Sequence, residues 1–405
     1  MTTDFLDDVR FTDLTWAGAG PFGTKVFSDF GAEIIKVEST IRLDSVRTGG
    51  PFKDRTYGVN RSGYFASRNT GKKSFTVDTK TDEGRALVLD LIRQSDVVSN
   101  NFGPGAMERM GLGYDDVRSV KPDIIYLSMP MYGESGPLAQ LLGVGMTISA
   151  VSGLMWATAY AAGDPVGPGT HYPDHAANPY HAAFAILSAL RYRRQTGTGM
   201  KIDLSQVEST LNFIGGAVTD WAMTGKEPAV TGNSDASAAP HGIYRAKGAD
   251  DWVAVAVIEE AQWPALCRVI GRADLAADPA LRTATGRHAV AERLDAAVAE
   301  WAAGQSADDA ADRLLEAGVP AARVADARHL IEQDAQLAAR EYFVRVGHPE
   351  LGESLYASLP FMIDGARVAL ARPPLLGEHT TDILRSHLGL SEPAIAGLED
   401  AGVLK

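Results

Sequence analysis

Asp174 stands among imidazoles and small apolar residues in the run His171-Tyr172-Pro173-Asp174-His175-Ala176-Ala177, directly before a pattern that predicts a helix. The run holds neither a second carboxylate nor a metal-ligand spacing. A lone aspartate in this setting suggests a nucleophile, and its product with an acyl group is an acid anhydride. The competing interpretation is structural, because aspartate at the start of a helix often accepts hydrogen bonds from first-turn N–H groups, here residues 176–179.

The neighbouring histidines raise the question of a metal site. His171 and His175 are four residues apart, but Pro173 lies between them and no glutamate or third ligand completes a zinc pattern. We therefore expect no metal. These two histidines are expected to line an acyl pocket or to form hydrogen bonds within the loop, and His181 is expected to pack on its helix.

Alternating strand and helix patterns fill the first half of the chain. Helices are predicted over residues 21–29, 81–94 and 104–111, between apolar runs that predict strands. The predicted strands are residues 9–16, 33–38, 74–78, 96–99, 124–128 and 200–204. This βαβ alternation predicts an α/β fold with a parallel sheet.

A second domain is predicted after a linker. Residues 224–239 are rich in Gly, Ser, Ala and Asn, a hairpin pattern follows over 242–257, and alanine-rich helical patterns fill much of 261–341. The simplest interpretation is a smaller α+β domain at 225–330.

Composition excludes several functions. The net charge of −13 argues against broad binding to nucleic acid or to anionic membranes. No apolar run approaches the ~20 residues that span a bilayer, and the N-terminus has no signal-peptide pattern. Cys267 is the only cysteine, which fits a reducing cytoplasm, and its apolar surroundings predict a buried structural thiol.

The negative charge does not exclude a small phosphorylated ligand, since local cations can outweigh it. The candidate cations are Lys72, Lys73, Lys80 and Arg109, each of which has a solvated surface position as its alternative.

A dinucleotide fingerprint occurs near the N-terminus. Residues 18–23 match G-x-G-x-x-G between a predicted strand and helix, and Glu38 ends the next strand. However, Pro21 lacks the N–H that a pyrophosphate would use, and Asp13 and Thr15 interrupt the aliphatic strand. A tight strand-to-helix turn is favoured over an NAD site.

A second motif is the run Asn101-Phe102-Gly103-Pro104-Gly105-Ala106. Asn101 is predicted to cap a helix that has Pro104 in its first turn, where free N–H groups attract anions. Arg109 in that helix could bind a phosphate. The alternative is a well-capped helix with a surface arginine.

Five segments together resemble the class III CoA-transferases. They occur in family order and span nearly the whole chain. The segments are residues 13–21, 31–38, 101–106, 193–199 and 374–380.

The resemblance implies a function and a site. It implies transfer of CoA from an acyl-CoA thioester to a small carboxylic acid through an anhydride and a CoA thioester on a catalytic aspartate, which falls on Asp174. Acyl-CoA is then a substrate, and no tightly bound cofactor is expected. The implied CoA-binding positions are Gly18, Ala19, Val77, Lys80, Asn101, Phe102, Gly103, Arg109, Met131 and Tyr132.

The resemblance also implies an architecture. A Rossmann-like large domain is expected to combine both chain ends, residues 1–224 and 331–405, with the small domain of residues 225–330 inserted. An interlocked homodimer and a cytoplasmic location are expected.

Two alternatives remain. An α-methylacyl-CoA racemase of the same fold would need a histidine upstream of the aspartate as a second acid–base group. The matching region is Gly143-Val144-Gly145, which has no histidine, so transfer is favoured. A non-catalytic CoA-binding protein is the other alternative, and the presence of Asp174 argues against it.

Overall fold

Two compact units make up the chain. The computed structural model describes residues 5–160 and 163–405. The first unit comprises Met1–Ala157, Gly167–Glu227 and Ala339–Lys405, and the second comprises Thr158–Val166 and Pro228–Ala338.

A six-stranded parallel sheet forms the centre of the first unit, in the order β3-β2-β1-β4-β5-β6. This is the strand order of a doubly wound sheet, so the predicted α/β class is confirmed. An antiparallel hairpin, β10–β11, lies in the same unit. The strands are β1 (Arg10–Asp13), β2 (Glu33–Glu38), β3 (Lys73–Thr76), β4 (Val97–Asn100), β5 (Ile125–Ser128), β6 (Met200–Asp203), β10 (Phe343–His348) and β11 (Gly352–Ala357).

Helices cover both faces of a sheet whose strands are mostly buried. Local signals explain their ends: Thr81 caps α4 and Asp82 and Glu83 occupy its first turn, and α9 ends at Gly197 in the left-handed conformation. The helices of the first unit are α1 (Ala19–Asp29), α2 (Ser45–Thr48), α3 (Gly63–Arg68), α4 (Asp82–Arg93), α5 (Ala106–Arg109), α6 (Tyr114–Val120), α7 (Gly145–Val151), α8 (Leu154–Ala157), α9 (Asn178–Thr196), α10 (Gln206–Leu211), α11 (Gly215–Thr224), α19 (Thr380–Ser386) and α20 (Glu392–Asp400).

The second unit is a small α+β structure. Its antiparallel sheet has the order β7-β8-β9, and Trp263 and Cys267 lie in its apolar core, as expected for a structural thiol. Its strands are β7 (His241–Arg245), β8 (Trp252–Ala256) and β9 (Ala321–Arg323). Its helices are α12 (Gln262–Val269), α13 (Ala273–Ala277), α14 (Ala284–His288), α15 (Ala291–Ala302), α16 (Ala307–Glu316) and α17 (Ala327–Glu332), and α18 (Ala335–Ala339) follows at its boundary.

Polar residues in β1 are explained by a buried network. The Asp13 carboxylate accepts hydrogen bonds from Thr15, Thr24 and Ser99 and lies 3.0 Å from Lys72 Nζ. A fully buried carboxylate is tolerated when paired and hydrogen-bonded in this way. The interruption of the aliphatic strand is therefore structural.

The predicted helix over 104–111 is wrong in its start and in its cap. Helix α5 begins at Ala106, preceded by Gly105 with φ 78°, and no side chain caps it. Asn101 instead clamps the β1–α1 turn: its Oδ1 accepts from the Trp16 N–H, and its Nδ2 donates to the Trp16 carbonyl, both at 2.8 Å. Local spacing predicted that Asn101 caps a helix, but its side chain forms two long-range hydrogen bonds with the Trp16 backbone instead.

No helix within residues 5–160 and 163–405 is long and apolar enough to cross a membrane.

Candidate active site

Asp174 lies in a π-helical turn, Pro173–Ala177, that leads directly into α9. Such turns interrupt α-helical geometry and are frequent at functional sites. Burial and the charges of His171 and Arg68 determine the electrostatics of the Asp174 carboxylate, with no contribution from a hydrogen bond to the N–H groups of residues 176–179, which argues against the structural interpretation of this residue. It is 8% exposed, and burial raises its pKa to about 6, opposed by His171 and Arg68. The carboxylate is therefore largely ionised at pH 7 but poorly solvated, as a nucleophile should be.

Two glycines leave room for this carboxylate. A Cβ atom at Gly18 would lie 2.5 Å from Asp174 Oδ2, and one at Gly145 would lie 2.8 Å from the same atom. Neither glycine has a positive φ, so space rather than backbone conformation requires them. In the sequence Gly145 is notable only because the segment Gly143-Val144-Gly145 lacks a histidine, and its approach to Asp174 depends on tertiary packing.

Three imidazoles near Asp174 have different surroundings. His171 Nδ1 is buried and has no hydrogen-bond partner among residues 5–160 and 163–405. His175 lies against Arg68, whose Nη2 is 2.9 Å from Nε2, and burial lowers the His175 pKa to about 4. His181 Nδ1 lies 2.6 Å from Ser209 Oγ of α10. Within residues 5–160 and 163–405, no group of three or more His, Cys, Asp or Glu side chains could hold a metal ion.

A cavity of about 510 Å³ opens beside the carboxyl ends of β1, β2 and β3. Its walls include the apolar side chains of Leu14, Trp16, Phe102 and Leu142. Ligands of open α/β sheets bind at this edge. Of the predicted CoA-binding residues, those that line the cavity are Val77, Lys80, Phe102, Gly103 and Arg109.

The other predicted CoA-binding residues lie outside the cavity lining. Gly18 and Ala19 begin α1, with Gly18 against Asp174. Asn101 holds Trp16. Met131 is buried with Ile148 and Val207, and Tyr132 packs against that cluster.

Three exposed cations, Arg42, Lys80 and Arg109, line the cavity, and none has a carboxylate within 4.0 Å in the part of the chain that the structure describes. Arg42 was not among the cations predicted from the sequence, and its guanidinium lies 5.2 Å from the centroid of the Trp16 ring. Local positive charge of this kind suits an anionic ligand despite the net charge of the chain.

Two of the four candidate cations form ion pairs with carboxylates of the parallel sheet instead of lining the cavity. Lys72 is buried against Asp13, and Lys73 forms an ion pair with Glu33. Their charges are already neutralised by protein carboxylates, so the prediction that they bind a phosphorylated ligand is not supported by their positions.

Two chain segments connect the cavity to Asp174. Trp16 lines the cavity and Gly18 touches the carboxylate two residues later; Leu142 lines the cavity and Gly145 touches the carboxylate three residues later. Three residues span at most ~10 Å. A ligand in the cavity could therefore reach Asp174 with a short flexible arm.

The dinucleotide fingerprint is a turn. A Cβ atom at Gly20 would lie 2.5 Å from the Thr15 side chain, which shows how closely the turn packs. Glu38, which would bind a ribose in a dinucleotide site, is buried and accepts two hydrogen bonds from Arg47, both at 2.8 Å. Its carboxylate is already occupied within the protein.

Comparison with known proteins identifies this chain as an enzyme of the CoA-transferase class. The chain resembles the formyl-CoA:oxalate CoA-transferase of Streptomyces coelicolor, at 29% identity over 100% of both chains. It is also 31% identical to the human succinyl-CoA:glutarate CoA-transferase, over 98% of this chain and 90% of that one.

The family can be stated as well. The sequence profile of CoA-transferase family III matches residues 6–380, and the chain belongs to that family. In structure it is similar to a CAIB/BAIF family protein from Brucella suis, with a TM-score of 0.87, 29% identity and coverage of 95% of this chain and 99% of that one. The family resemblance found in the sequence is confirmed.

Proposed function

We propose that the enzyme transfers CoA from an acyl-CoA thioester to a small carboxylic acid through covalent intermediates on Asp174. The observation that carries this proposal is a buried, poorly solvated carboxylate with a pKa of about 6, reached from a cavity lined by cations. The cavity binds CoA, and its cations pair with the phosphates. The relatives' names give the acids oxalate and glutarate, and we infer an acid of similar size for this enzyme.

The reaction begins when an Asp174 carboxylate oxygen attacks the thioester carbonyl. The C–S bond breaks, CoA leaves as the thiolate, and a mixed anhydride remains. The thiolate then attacks the aspartyl carbonyl of the anhydride, which releases the donor's acid and leaves an aspartyl-CoA thioester. An acceptor carboxylate attacks that thioester, and the same two steps in reverse form the new acyl-CoA and restore Asp174.

Two physical demands on this pathway are met by the site. An anhydride is hydrolysed in open water, and Asp174 is only 8% exposed. Each tetrahedral intermediate needs hydrogen-bond donors, and we propose that backbone N–H groups near the carboxylate take this role. Gly18 and Gly145 bring two stretches of backbone against Asp174 without intervening side chains.

Chemical trapping tests the proposed function. The enzyme is incubated with formyl-, acetyl- or succinyl-CoA, treated with borohydride or hydroxylamine, and digested for peptide mass spectrometry. We expect modification at Asp174 that depends on acyl-CoA. Exchange of the α-proton of the acyl group with solvent deuterium, with no modification of Asp174, would indicate a racemase and contradict the proposal.

The cavity cations are expected to hold CoA. Lys80→Met and Arg109→Met should each weaken CoA binding about fivefold, equivalent to about 1 kcal/mol for a solvated ion pair. The double variant should lose about 25-fold if the sites are independent. Isothermal titration with CoA at low and high salt measures this, because the losses should shrink with added salt. Arg93→Met, a distant exposed arginine, serves as the control; equal affinity in all variants would move CoA elsewhere.

We infer that the enzyme is a homodimer, interlocked as the family resemblance implies. Large apolar side chains lie exposed on α9 and α11, with Phe184 73%, Trp221 59% and Met223 81% exposed. Exposed apolar surface of this kind marks an interface. Sedimentation of the purified chain tests this inference, and the mass of a single chain would contradict it.

The remaining organisation stays a set of proposals. We propose a small domain at residues 225–330 inserted in a large domain of residues 1–224 and 331–405, and the compact unit that includes residues 228–338 supports this proposal. Partners other than acyl-CoA, the acid and a second copy are not proposed; binding to nucleic acid is disfavoured by the net charge of −13. A cytoplasmic location stays a prediction.

A further inference from the structure

Arg68, the last residue of α3, is a buried cation with no ion pair in the part of the chain that the structure describes. It is 4% exposed, and no carboxylate within the described residues 5–160 and 163–405 lies within 4.0 Å of it. Other buried cations of the first unit have such partners: Lys36 with Asp44, Arg47 with Glu38, and Lys72 with Asp13. A buried charge without a partner is costly, so its retention calls for a function.

Neutral groups hold the Arg68 side chain in place. Its Nη1 donates to the Tyr64 carbonyl at 3.2 Å and to Ser67 Oγ at 2.9 Å, and its guanidinium lies 3.5 Å from the centroid of the Tyr64 ring. Its Nη2 contacts the His175 ring. Its Nε is buried and has no hydrogen-bond partner among residues 5–160 and 163–405. One donor on a fixed, charged fork is therefore left for a ligand.

The position of Arg68 relates it to the nucleophile. Its contact residue His175 directly follows Asp174, and burial together with the Arg68 charge lowers the His175 pKa, so the imidazole is neutral near pH 7. His175 therefore adds no charge. The two groups whose charges lower the pKa of Asp174, against the effect of burial, are His171 and Arg68.

We propose that Arg68 binds the reacting carboxylate of the acid substrate beside Asp174. This inference rests on the proposed function. In the aspartyl-CoA thioester Asp174 is neutral, so the Arg68 charge then has no counterion. An incoming carboxylate supplies one: one oxygen accepts from Arg68 while the other attacks the aspartyl carbonyl.

The same contact serves both directions of the reaction. When the acid's oxygen forms its bond to the aspartyl carbonyl, the C–S bond breaks and the negative charge passes to the CoA thiolate. When the thiolate attacks the aspartyl carbonyl of the anhydride, the C–O bond breaks and the released acid carries the charge. When it attacks the acyl carbonyl instead, acyl-CoA forms and the Asp174 carboxylate carries the charge. Whenever the acid is bound or the thiolate is free in the site, one negative charge is therefore present there to offset that of Arg68, and no proton transfer is required.

Discharge of the covalent intermediate tests this proposal. The aspartyl-CoA thioester is formed from acetyl-CoA or succinyl-CoA, the free acid is removed by rapid desalting, and acetate or succinate is added over a range of concentrations. Re-formation of acyl-CoA is followed. We expect Arg68→Met to form the intermediate but to need at least about 30-fold more acid for half-maximal discharge, since a charge-assisted contact is lost. Affinity for CoA should change less than threefold.

Further variants separate charge from folding. Arg68→Lys, which keeps the charge without the fork, should fall between wild type and Arg68→Met. Guanidinium ion at millimolar concentration should partly restore discharge in Arg68→Ala, which a purely structural defect would not show. Arg93→Met is the control. If Arg68→Met does not fold, Arg68→Lys and the rescue decide the question.

The outcomes distinguish the two levels of the proposal. If Asp174 is trapped in wild type but half-maximal discharge of Arg68→Met and Arg68→Lys stays within threefold of wild type, the role of Arg68 is wrong and the proposed function stands. If no intermediate is trapped in wild type, the proposed function itself fails.

Discussion

Replacing Asp174 with asparagine is expected to reduce CoA transfer by at least about 10⁴-fold, because the amide cannot form the anhydride and no other carboxylate takes its place. Acyl exchange between acetyl-CoA or succinyl-CoA and the matching isotope-labelled acid measures the loss. CoA affinity should remain within a few-fold of wild type, since the cavity does not include Asp174 in its lining. Asp400→Asn, an exposed change on α20, is the control.

The pH dependence of the wild-type enzyme provides a second readout of Asp174. In the proposed mechanism Asp174 reacts in its ionised form, and burial raises its pKa to about 6. The rate of intermediate formation should therefore fall as the pH drops through 6 and level off above about 7. A profile that stays flat down to pH 4.5 would show that Asp174 is not the titrating nucleophile.

Stability should change in the opposite sense from activity. The pKa of Asp174 is raised from 3.8 to about 6 in the folded state, so stability is fully present below pH 3.8, is lost as the pH rises from 3.8 through 6, and stays lower above that. Asp174→Asn should therefore raise the free energy of unfolding at pH 7.5 by up to about 3 kcal/mol, at 1.36 kcal/mol per pH unit. Denaturant unfolding at pH 7.5 and pH 4 should show a gain at the higher pH that largely disappears at the lower.

Adding a single methyl group at Gly145 is expected to reduce turnover by about 100-fold with little effect on folding. The new Cβ would lie 2.8 Å from Asp174 Oδ2 and 2.8 Å from His171 Cβ, closer than real contacts allow. The carboxylate must then shift, and displacements of about 1 Å in a reacting group cost about this much in rate. Alanine is otherwise compatible with Gly145, which begins α7 without a positive φ.

Steady-state kinetics and thermal unfolding measure this effect. The loss should appear in kcat rather than in CoA affinity, because the cation-lined cavity is unchanged. Gly397→Ala is a matched control, since a Cβ at this exposed glycine of α20 meets nothing within 4 Å. Wild-type turnover in Gly145→Ala would mean that the packing around Asp174 does not position it for reaction.

Local patterns were enough to predict much of the fold. The predicted β2 has the observed bounds, and the other predicted strands of the parallel sheet differ from the observed ones by a few residues at their ends. Apolar periodicity records which residues a strand buries, so it can be read without knowing the partner strands. The same reasoning failed at Asn101, whose side chain is bound to Trp16, 85 residues away.

Only some residues of the candidate site could be predicted from the sequence. Asp174 could be singled out because its neighbours lack a second carboxylate, and family resemblance assigned its role. Arg42 had no signal of its own, as a surface arginine is unremarkable until the cavity around it is known. Arg68 lay in a segment with no predicted role in the chemistry, and Gly145 was noted only because its segment lacks the histidine that a racemase would need there.

The sequence by itself determined the order of strands and helices, the family and the candidate nucleophile, because those depend on short-range periodicity and on residue type. Only the tertiary structure decided the environment of that nucleophile. The contact between Arg68 and His175 joins residues 107 positions apart, and Gly18 and Gly145 approach Asp174 from two other segments. Burial, and the pKa of about 6 that follows from it, is a property of this packing, which no local pattern encodes.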